Sequence, residues 1–491
     1  MEEKKKPQAN NKETHRFLSS GMITLIISVI LIGLCVLGIM MFLVGCSAQT
    51  TQENLTANHV FVFMGDGMGV NHVAATRYME MYEQELPETA ALWSNNSFDS
   101  FPYVGLMSTH NAEVNITDSA ASATAMFSGR KTENCVLNCD LQTGERFEPL
   151  ARTLSEAGYA VGVISTASLD HASPAAIYAV SEDRYDYVNI AQQGIECGWL
   201  DFWAAGGFAQ QQEDREAAAA DAGFTIAKTP DEVRALNSSA MPVLVATADD
   251  DAFPFMAYEI DRSRRAYYGA DTVSFGDIVK KAVECFDEEE QFFVFAEAAK
   301  VDIASSMLDL KSALYEVRAL DDAVAVALEF YENNPEDTLI VVLSDHETGG
   351  LQLRTNMNYG ALTDQVASAV RFSSIMEDLY DEEASFSQAM ENAEHYFGVS
   401  EDKLTEEEWE TLERAYENTL ENHDSEDDED LFTAALCEWK RNKAKVNFVS
   451  PSHTAQPVPV YAIGKGAEHF AGLYDNTEIY AKLKQVLGIA G

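Results

Sequence analysis

Short, strongly apolar runs recur along the chain, and glycine or polar residues stop each of them abruptly. Five such runs, rich in β-branched and aromatic residues, predict buried strands at residues 59–64, 160–165, 292–296, 338–343 and 458–463. Amphipathic stretches that predict helices precede three of these strands, at residues 150–157, 279–286 and 314–331. Strands that alternate with helices over this length predict an α/β fold. We expect one large, mainly parallel sheet with helices on both faces.

Polar side chains stand at the carboxyl ends of four of these strands, where open α/β sheets place their binding sites. They are Asp66, Thr166, Glu297 and the pair Asp345-His346. A carboxylate directly after a buried strand is costly unless it is paired or ligated. These strand ends therefore predict a functional site along one edge of the sheet.

One long segment breaks the alternation of strands and helices. Residues from about 355 to 445 lack strand patterns and are rich in Glu and Asp. We interpret them as an acidic helical insertion within a single α/β domain that spans residues 58–491.

The N-terminus carries the pattern of an export signal. Five basic residues within the first 16 precede an uncharged apolar run from Phe17 to Val44, which is long enough to span a bilayer. The run leads into Leu43-Val44-Gly45-Cys46, which resembles the lipobox of bacterial lipoproteins, with Cys46 as the lipid-attachment residue. The alternative is an uncleaved signal anchor. With residues 1–46 as anchor and 47–57 as a polar linker, both interpretations predict an extracytoplasmic protein held at the cell membrane.

Charge and cysteine content narrow the function classes. The chain has 33 Lys and Arg residues against 80 Asp and Glu residues, a net charge of −47, and no basic groove is visible in the sequence. Nucleic-acid binding is therefore excluded as a main role. Five cysteines lie beyond the apolar run and Cys46, and an odd number excludes a complete disulfide framework. Cys135 and Cys139 are close enough in the sequence to form a small disulfide. The sequence does not decide whether this disulfide forms.

Residues 117–125, Thr-Asp-Ser-Ala-Ala-Ser-Ala-Thr-Ala, predict the start of a helix built from small residues. A serine at a helix N-terminus lies among free backbone N–H groups, which favour an anion. Its hydroxyl is a poor nucleophile unless a base or a metal activates it. Because the chain has no Gly-x-Ser-x-Gly elbow, metal activation is the more natural route. For this segment alone, a plain helix cap by Asp118 or Ser119 remains the alternative.

Several separated motifs, taken in order, resemble the alkaline phosphatase family. They are Gly65–Gly69, Thr117–Ala125, His171–Pro174, Arg184, Glu297–Asp302, Ser344–His346 and His453–Ala455. The resemblance runs over residues 58–354 and 446–487 and is weakest in the insertion. It implies a site with two zinc ions and one magnesium ion that hydrolyses small phosphate monoesters through a phosphoserine, and it favours a homodimer.

The resemblance implies that Ser119 is the nucleophile and that Arg184, eleven residues after Ser173, grips the phosphate. The planar guanidinium can hold two phosphoryl oxygens at once. Zinc at Asp66, Asp345 and His346 would activate the Ser119 hydroxyl, since N/O ligation suits zinc.

The resemblance also assigns the two remaining metal positions. Magnesium, which prefers all-oxygen coordination, would be bound by Asp66, Ser173 and Glu297. His171 lies near this ion, where the family has either Asp or His, and a histidine favours a softer metal. Asp302 and His453 match ligands of the other zinc, which would stabilise the leaving oxygen and then activate water.

This chain departs from the family pattern beside Asp302. The family has a histidine four residues after this ligand, one helical turn on, whereas this chain has Ser306, a weak zinc ligand. Asp309 lies about 10 Å along an ideal helix from Asp302, too far to share one ion. Ile303 also replaces a residue that is usually polar in the family. We therefore expect one zinc site to be intact and the second to be weakened.

The sequence leaves three functions to compare. The leading one is a phosphate monoesterase that releases inorganic phosphate. The first alternative is a phosphodiesterase of the same superfamily, which Asp118-Ser119-Ala120 together with Arg184 disfavours. The second is a surface lipoprotein that binds phosphate or phosphorylated ligands without turnover. Relatives that have lost catalysis usually lose the nucleophile and the phosphate-binding residue as well. The presence of both Ser119 and Arg184 therefore favours an enzyme.

Overall fold

The computed structural model describes residues 56–86, 98–248, 254–423 and 430–489. The predicted anchor with Cys46, and most of the linker, lie outside the described residues, so these interpretations stay predictions. Within the described ranges, no helix is both long enough and apolar enough to cross a membrane.

Fourteen strands are found in the described parts of the chain. They are β1 His59–Gly65, β2 Tyr103–Ser108, β3 Ala160–Ser165, β4 Phe202–Ala205, β5 Thr225–Ala227, β6 Val243–Ala246, β7 Phe292–Ala298, β8 Thr338–Leu343, β9 Glu347–Thr348, β10 Gln352–Leu353, β11 Val446–Asn447, β12 His453–Thr454, β13 Val458–Gly464 and β14 Gly472–Asp475. All five strands predicted from the apolar runs are present.

Ten of these strands form one sheet in the order β14-β2-β13-β8-β1-β7-β3-β4-β6-β5. Neighbours pair in parallel except where β13 lies antiparallel between β2 and β8. The prediction of a large, mainly parallel sheet is therefore confirmed. The other four strands form two short antiparallel pairs, β9 with β12 and β10 with β11.

Helices cover both faces of this sheet, and four further α-helices of the described chain lie between β10 and β11. Over the described residues they are α1 Val70–Glu83, α2 Ser119–Ser128, α3 Leu150–Glu156, α4 Ala172–Tyr178, α5 Tyr187–Glu196, α6 Gln212–Asp221, α7 Pro230–Ala235, α8 Glu259–Tyr267, α9 Phe275–Cys285, α10 Lys300–Ser306, α11 Leu310–Asn333, α12 Ala369–Asp381, α13 Phe386–Asn392, α14 Glu406–Asn422, α15 Leu431–Ala444 and α16 Glu478–Val486.

Side-chain alternation along the central strand β1 explains why both faces are covered. Val60 and Val62 belong to one apolar core together with residues of α2. Phe61 and Phe63 belong to the opposite core together with residues of α9 and α11. Since successive strand residues point to opposite faces, a fully apolar strand requires helices on both sides.

Between β10 and β11, the described residues from 354 to 445 contain four α-helices and short 3-10 and π turns. These helices enclose a separate apolar core around Phe372, Phe397 and Phe432. Asp309 ties the insertion to the sheet domain, because its carboxylate caps α11 and accepts hydrogen bonds from Gln365 Nε2 (2.8 Å) and the Ala369 N–H (2.8 Å).

The possible bridge between Cys135 and Cys139 is not formed. Both residues are free thiols, and Cys139 is buried, with its sulfur 3.5 Å from the carbonyl oxygen of Ser181.

Candidate active site

The central strands bring the predicted site residues to one edge of the sheet. Met64 of β1 pairs with Glu297 of β7 on one side and with Leu343 of β8 on the other. Asp66 and Asp345 each follow two residues later, so three carboxylates meet at adjacent strand ends. Asp66, Glu297 and Asp345 therefore lie together at one place on this edge.

Ser119 faces this edge from the first residue of α2. Its Oγ lies 3.3 Å from His346 Nε2 and 3.4 Å from Asp66 Oδ2, and the residue is 3% exposed. Asp118 caps the helix by accepting a hydrogen bond from the Ala121 N–H (3.0 Å). Capping by Asp118 and placement of Ser119 at the carboxylates therefore occur together rather than as alternatives.

Asp66, Asp345 and His346 form what we call the inner cluster, in which all three residues are fully buried. His346 Nε2 lies 3.4 Å from Asp66 Oδ1 and 3.2 Å from Asp345 Oδ2. Asp345 Oδ1 accepts hydrogen bonds from the Gly67 N–H (3.1 Å) and the His346 N–H (2.9 Å). The two oxygens that face the ring, Asp66 Oδ1 and Asp345 Oδ2, have no hydrogen-bond donor among the described residues.

The electrostatics of the inner cluster favour a bound cation. Burial, together with the negative charges of Asp345 and Asp302, raises the pKa of Asp66 well above its usual value. Burial also raises the pKa of Asp345 and lowers the pKa of His346 to about 3. Two buried carboxylates beside a neutral imidazole are costly without a cation. The converging oxygen and nitrogen atoms fit a zinc ion.

Asp66, His171 and Glu297 form a second group, the deep cluster, whose ligand atoms lie within 4.8 Å of one another. Ser165 Oγ donates to Glu297 Oε2 (2.5 Å), while Glu297 Oε1 and His171 Nδ1 have no partner within the described ranges. Burial raises the pKa of Glu297 to about 7 and lowers the pKa of His171 to about 3. Ser173 Oγ, on α4, is likewise buried and unpaired there.

Asp302, His346 and His453 form a third group, the outer cluster. His453 Nε2 lies 3.5 Å from Asp302 Oδ1, and the imidazole rings of His346 and His453 stack with centroids 3.6 Å apart. The side chains of Asp302 and His453 keep 18% and 24% of their surface exposed. The outer cluster is therefore more exposed to solvent than the inner cluster, with which it shares His346.

Ser306 occupies the position at which the family pattern has a histidine. It ends helix α10, which begins at Lys300 and carries Asp302 near its start. Asp309 belongs to none of the groups of acidic and histidine side chains in the described chain that could hold a metal ion.

Arg184 lies beside the nucleophile helix. Its Nη1 donates to Asp118 Oδ2 (3.0 Å), and its Nη2 lies 3.5 Å from His171 Nε2. Its backbone N–H donates to the carbonyl oxygen of Cys135 (2.7 Å), which fixes the loop after α4 against the segment after α2. With 12% of its side chain exposed, Arg184 is not an ordinary surface arginine.

Sequence reasoning missed Thr348, which contacts two of the clustered side chains. Its Oγ1 donates a hydrogen bond to Asp302 Oδ1 and lies 3.2 Å from His346 Nδ1. A threonine two residues after His346 carries no motif signal by itself. Only the pairing of β9 with β12, which sets Thr348 opposite His453, makes its position visible.

The alkaline phosphatase family profile matches residues 57–202 and 235–489. The chain belongs to the alkaline phosphatase family. Alkaline phosphatase 4 and alkaline phosphatase 3 of Bacillus subtilis are each 26% identical to it, over 87% and 86% of this chain and 88% and 87% of theirs. Family membership makes the chain a phosphomonoester hydrolase.

Solved structures agree with this assignment at the level of the fold. The alkaline phosphatase of Thermus thermophilus superposes with a TM-score of 0.75 at 25% identity, over 90% of this chain and 96% of that one. The cold-active enzyme of a Shewanella species gives a TM-score of 0.74 at 24% identity, over 87% of this chain and 99% of that one.

Proposed function

We propose that this alkaline phosphatase is a metal-dependent enzyme that transfers the phosphoryl group of a monoester to Ser119 and then to water. The observation that carries the proposal is the position of Ser119 Oγ, 3.3 Å from His346 Nε2 and 3.4 Å from Asp66 Oδ2 at a helix N-terminus. The buried serine faces a cluster suited to a cation rather than a conventional Ser–His–Asp arrangement.

The chain's own residues account for binding and for transfer. Arg184 and the first N–H groups of α2 hold the phosphoryl oxygens. Ser119 Oγ attacks phosphorus as the bond to the alcohol oxygen breaks; the Ser119 proton passes to solvent and the departing alcohol takes a proton from water. Water then attacks the phosphoserine, the Oγ–P bond breaks, and inorganic phosphate leaves while Ser119 regains its proton.

The three clusters suit two kinds of metal ion. The inner cluster, with two carboxylates and one imidazole, would hold zinc, and the outer cluster would hold a second zinc through Asp302 and His453. Asp66 and Glu297 of the deep cluster, together with the neighbouring Ser173, would hold magnesium, and His171 shifts the preference of this site towards a softer ion. Such ions lower the pKa of a bound hydroxyl and stabilise developing negative charge.

We also propose that the enzyme works outside the cytoplasmic membrane, held there by a lipid on Cys46 or by an uncleaved anchor. The apolar run from Phe17 to Val44 and the lipobox-like Leu43-Val44-Gly45-Cys46 support this location. The family resemblance supports a homodimer, which light scattering of the detergent-solubilised protein would test.

The test is a trapping experiment on the full-length protein in detergent with zinc and magnesium added. Nitrophenyl phosphate should release nitrophenol, and an acid quench followed by peptide mass spectrometry should find phosphate on Ser119. Bis(nitrophenyl) phosphate should turn over much more slowly, since a diester leaves Arg184 one fewer free oxygen to bind. Turnover without any phosphorylated Ser119 would contradict the proposed route, and faster diester hydrolysis would favour a phosphodiesterase.

A further inference from the structure

The short ladder between β9 and β12 brings Thr348 directly opposite His453 and Glu347 opposite Thr454. Thr348 is fully buried, and its N–H donates to the carbonyl oxygen of Gly67 (3.0 Å). A Cβ on Gly67 would come within 2.9 Å of Thr348 Oγ1 and 3.0 Å of the Asp302 Cα, so only glycine allows this approach. The Thr348 hydroxyl is therefore held in one place from several sides.

The chemistry of the two partners sets the direction of both hydrogen bonds of Thr348. An ionised carboxylate has only acceptor sites, so the single hydroxyl proton of Thr348 goes to Asp302 Oδ1. The Thr348 Oγ1 atom has then used its only proton, so it can only accept a hydrogen bond from His346 Nδ1, which lies 3.2 Å away. His346 must therefore carry its proton on Nδ1, which leaves the Nε2 lone pair for the inner cluster.

His453 offers a comparison within the same site. Its Nδ1 lies 2.9 Å from the carbonyl oxygen of Thr117, which can only accept. This contact fixes the His453 tautomer by itself, with Nε2 towards Asp302. The hydroxyl beside His346 could instead donate, and it accepts only because its proton is engaged by Asp302.

We propose that Thr348 is a positioning residue that couples the outer cluster to the inner cluster by fixing the tautomer of His346. The inference rests on the proposed function, because it assumes that the inner cluster holds a metal ion. Partners of this kind behind a ligating histidine raise metal affinity by fixing ring orientation and tautomer. In this chain the partner behind His346 is the Thr348 hydroxyl, which is itself oriented by its hydrogen bond to the carboxylate of Asp302.

The central test compares zinc binding by the full-length protein and three variants, measured by competition with a chromogenic chelator. Thr348→Val keeps the shape but leaves the buried His346 N–H without an acceptor, and should weaken the tightest zinc site by about 10- to 100-fold. Thr348→Ser keeps the hydroxyl and should restore binding to within about threefold. Thr454→Val is the matched control, since Thr454 lies on the same ladder but hydrogen-bonds Glu347 rather than a ligand.

The outcomes separate positioning from plain stability. An unchanged zinc affinity in Thr348→Val would overturn the proposal, and so would an equal loss in Thr454→Val, because the ladder alone would then matter. If Thr348→Val does not fold, nitrogen NMR of the metal-free wild type decides, with His346→Gln identifying the resonance. A proton on Nδ1 supports the coupling, and a proton on Nε2 contradicts it.

These measurements do not depend on turnover. Zinc affinity that falls in Thr348→Val while wild-type protein fails to hydrolyse nitrophenyl phosphate would support the positioning of His346 and contradict the proposed function. Full hydrolysis by the wild type together with an unchanged zinc affinity in Thr348→Val would support the proposed function and contradict the positioning of His346.

Discussion

The inner and outer clusters share His346 but differ in what surrounds them. In the inner cluster every side chain is buried, and two carboxylate oxygens face the ring without a donor among the described residues. In the outer cluster Asp302 and His453 are partly exposed, and Ser306 stands where the family has a third ligand.

This difference separates two needs of the reaction. A dry site with converging carboxylates binds a cation strongly, because the alternative is buried unpaired charge. A partly exposed pair can exchange its metal with solvent and can leave room for water and the departing alcohol. We therefore expect tight metal binding at the inner cluster and weak, exchangeable binding at the outer cluster.

The largest expected effect comes from removing the group that the inner cluster activates. Ser119→Ala should fold normally and retain less than about a hundredth of the wild-type rate, measured as nitrophenol release at saturating metal. Ser122→Ala is the matched control, because it removes a hydroxyl from the same helix that is not the nucleophile. The Ser122 hydroxyl donates to the carbonyl oxygen of Asp345 (2.7 Å) and accepts from Asn476 Nδ2 (3.0 Å). A Ser119→Ala enzyme above that limit would exclude the phosphoserine route.

Removing the phosphate-binding arginine should reduce the rate less than removing the nucleophile, because the metal ions and the helix N–H groups still bind the phosphate. Arg184→Ala should lose about 2–3 kcal/mol of transition-state stabilisation, the scale of one charged contact, measured as kcat/KM. Inhibition by inorganic phosphate should weaken in parallel. Arg130→Ala removes an exposed arginine paired with Glu145 and serves as the control. Phosphate inhibition that stays the same in Arg184→Ala would place the phosphate elsewhere.

A smaller effect is expected at the deep cluster, where a neutral ring faces two carboxylates. His171→Asp adds an oxygen ligand and a negative charge, and should tighten magnesium binding by about tenfold, roughly 1.4 kcal/mol. Titration of the zinc-loaded protein with magnesium, followed by activity and by calorimetry, measures the change. Equal magnesium affinity in the two proteins would mean that His171 does not face the ion.

Much of the sheet and of the inner cluster could be predicted, because a buried strand followed by a charged residue is a strong local signal. Asp66 and Asp345 are examples. Five strands of the described sheet were missed: β2, β4, β5, β6 and β14. In β2, exposed Val104 and Leu106 alternate with buried residues over only six positions. The reversed direction of β13 was also missed, because apolar patterning carries no information about strand direction.

Less of the outer cluster than of the inner cluster could be predicted from the sequence. The absence of a histidine at Ser306 could be read from spacing, but the contacts of Thr348 could not. They depend on a ladder between residues far apart in the chain and on the close approach of Gly67. Hydrogen-bond partners of ligands follow from the folded geometry rather than from any local pattern.

The comparison between the clusters is tested most directly by counting zinc ions after dialysis. Wild-type protein should retain about one tightly held zinc per chain at the inner cluster, and its activity should depend steeply on added zinc. Ser306→His places an imidazole one helical turn after Asp302 and should raise the retained zinc towards two while reducing that dependence. Two tightly held zinc ions already present in the wild type would contradict the account, because another group would then complete the outer cluster.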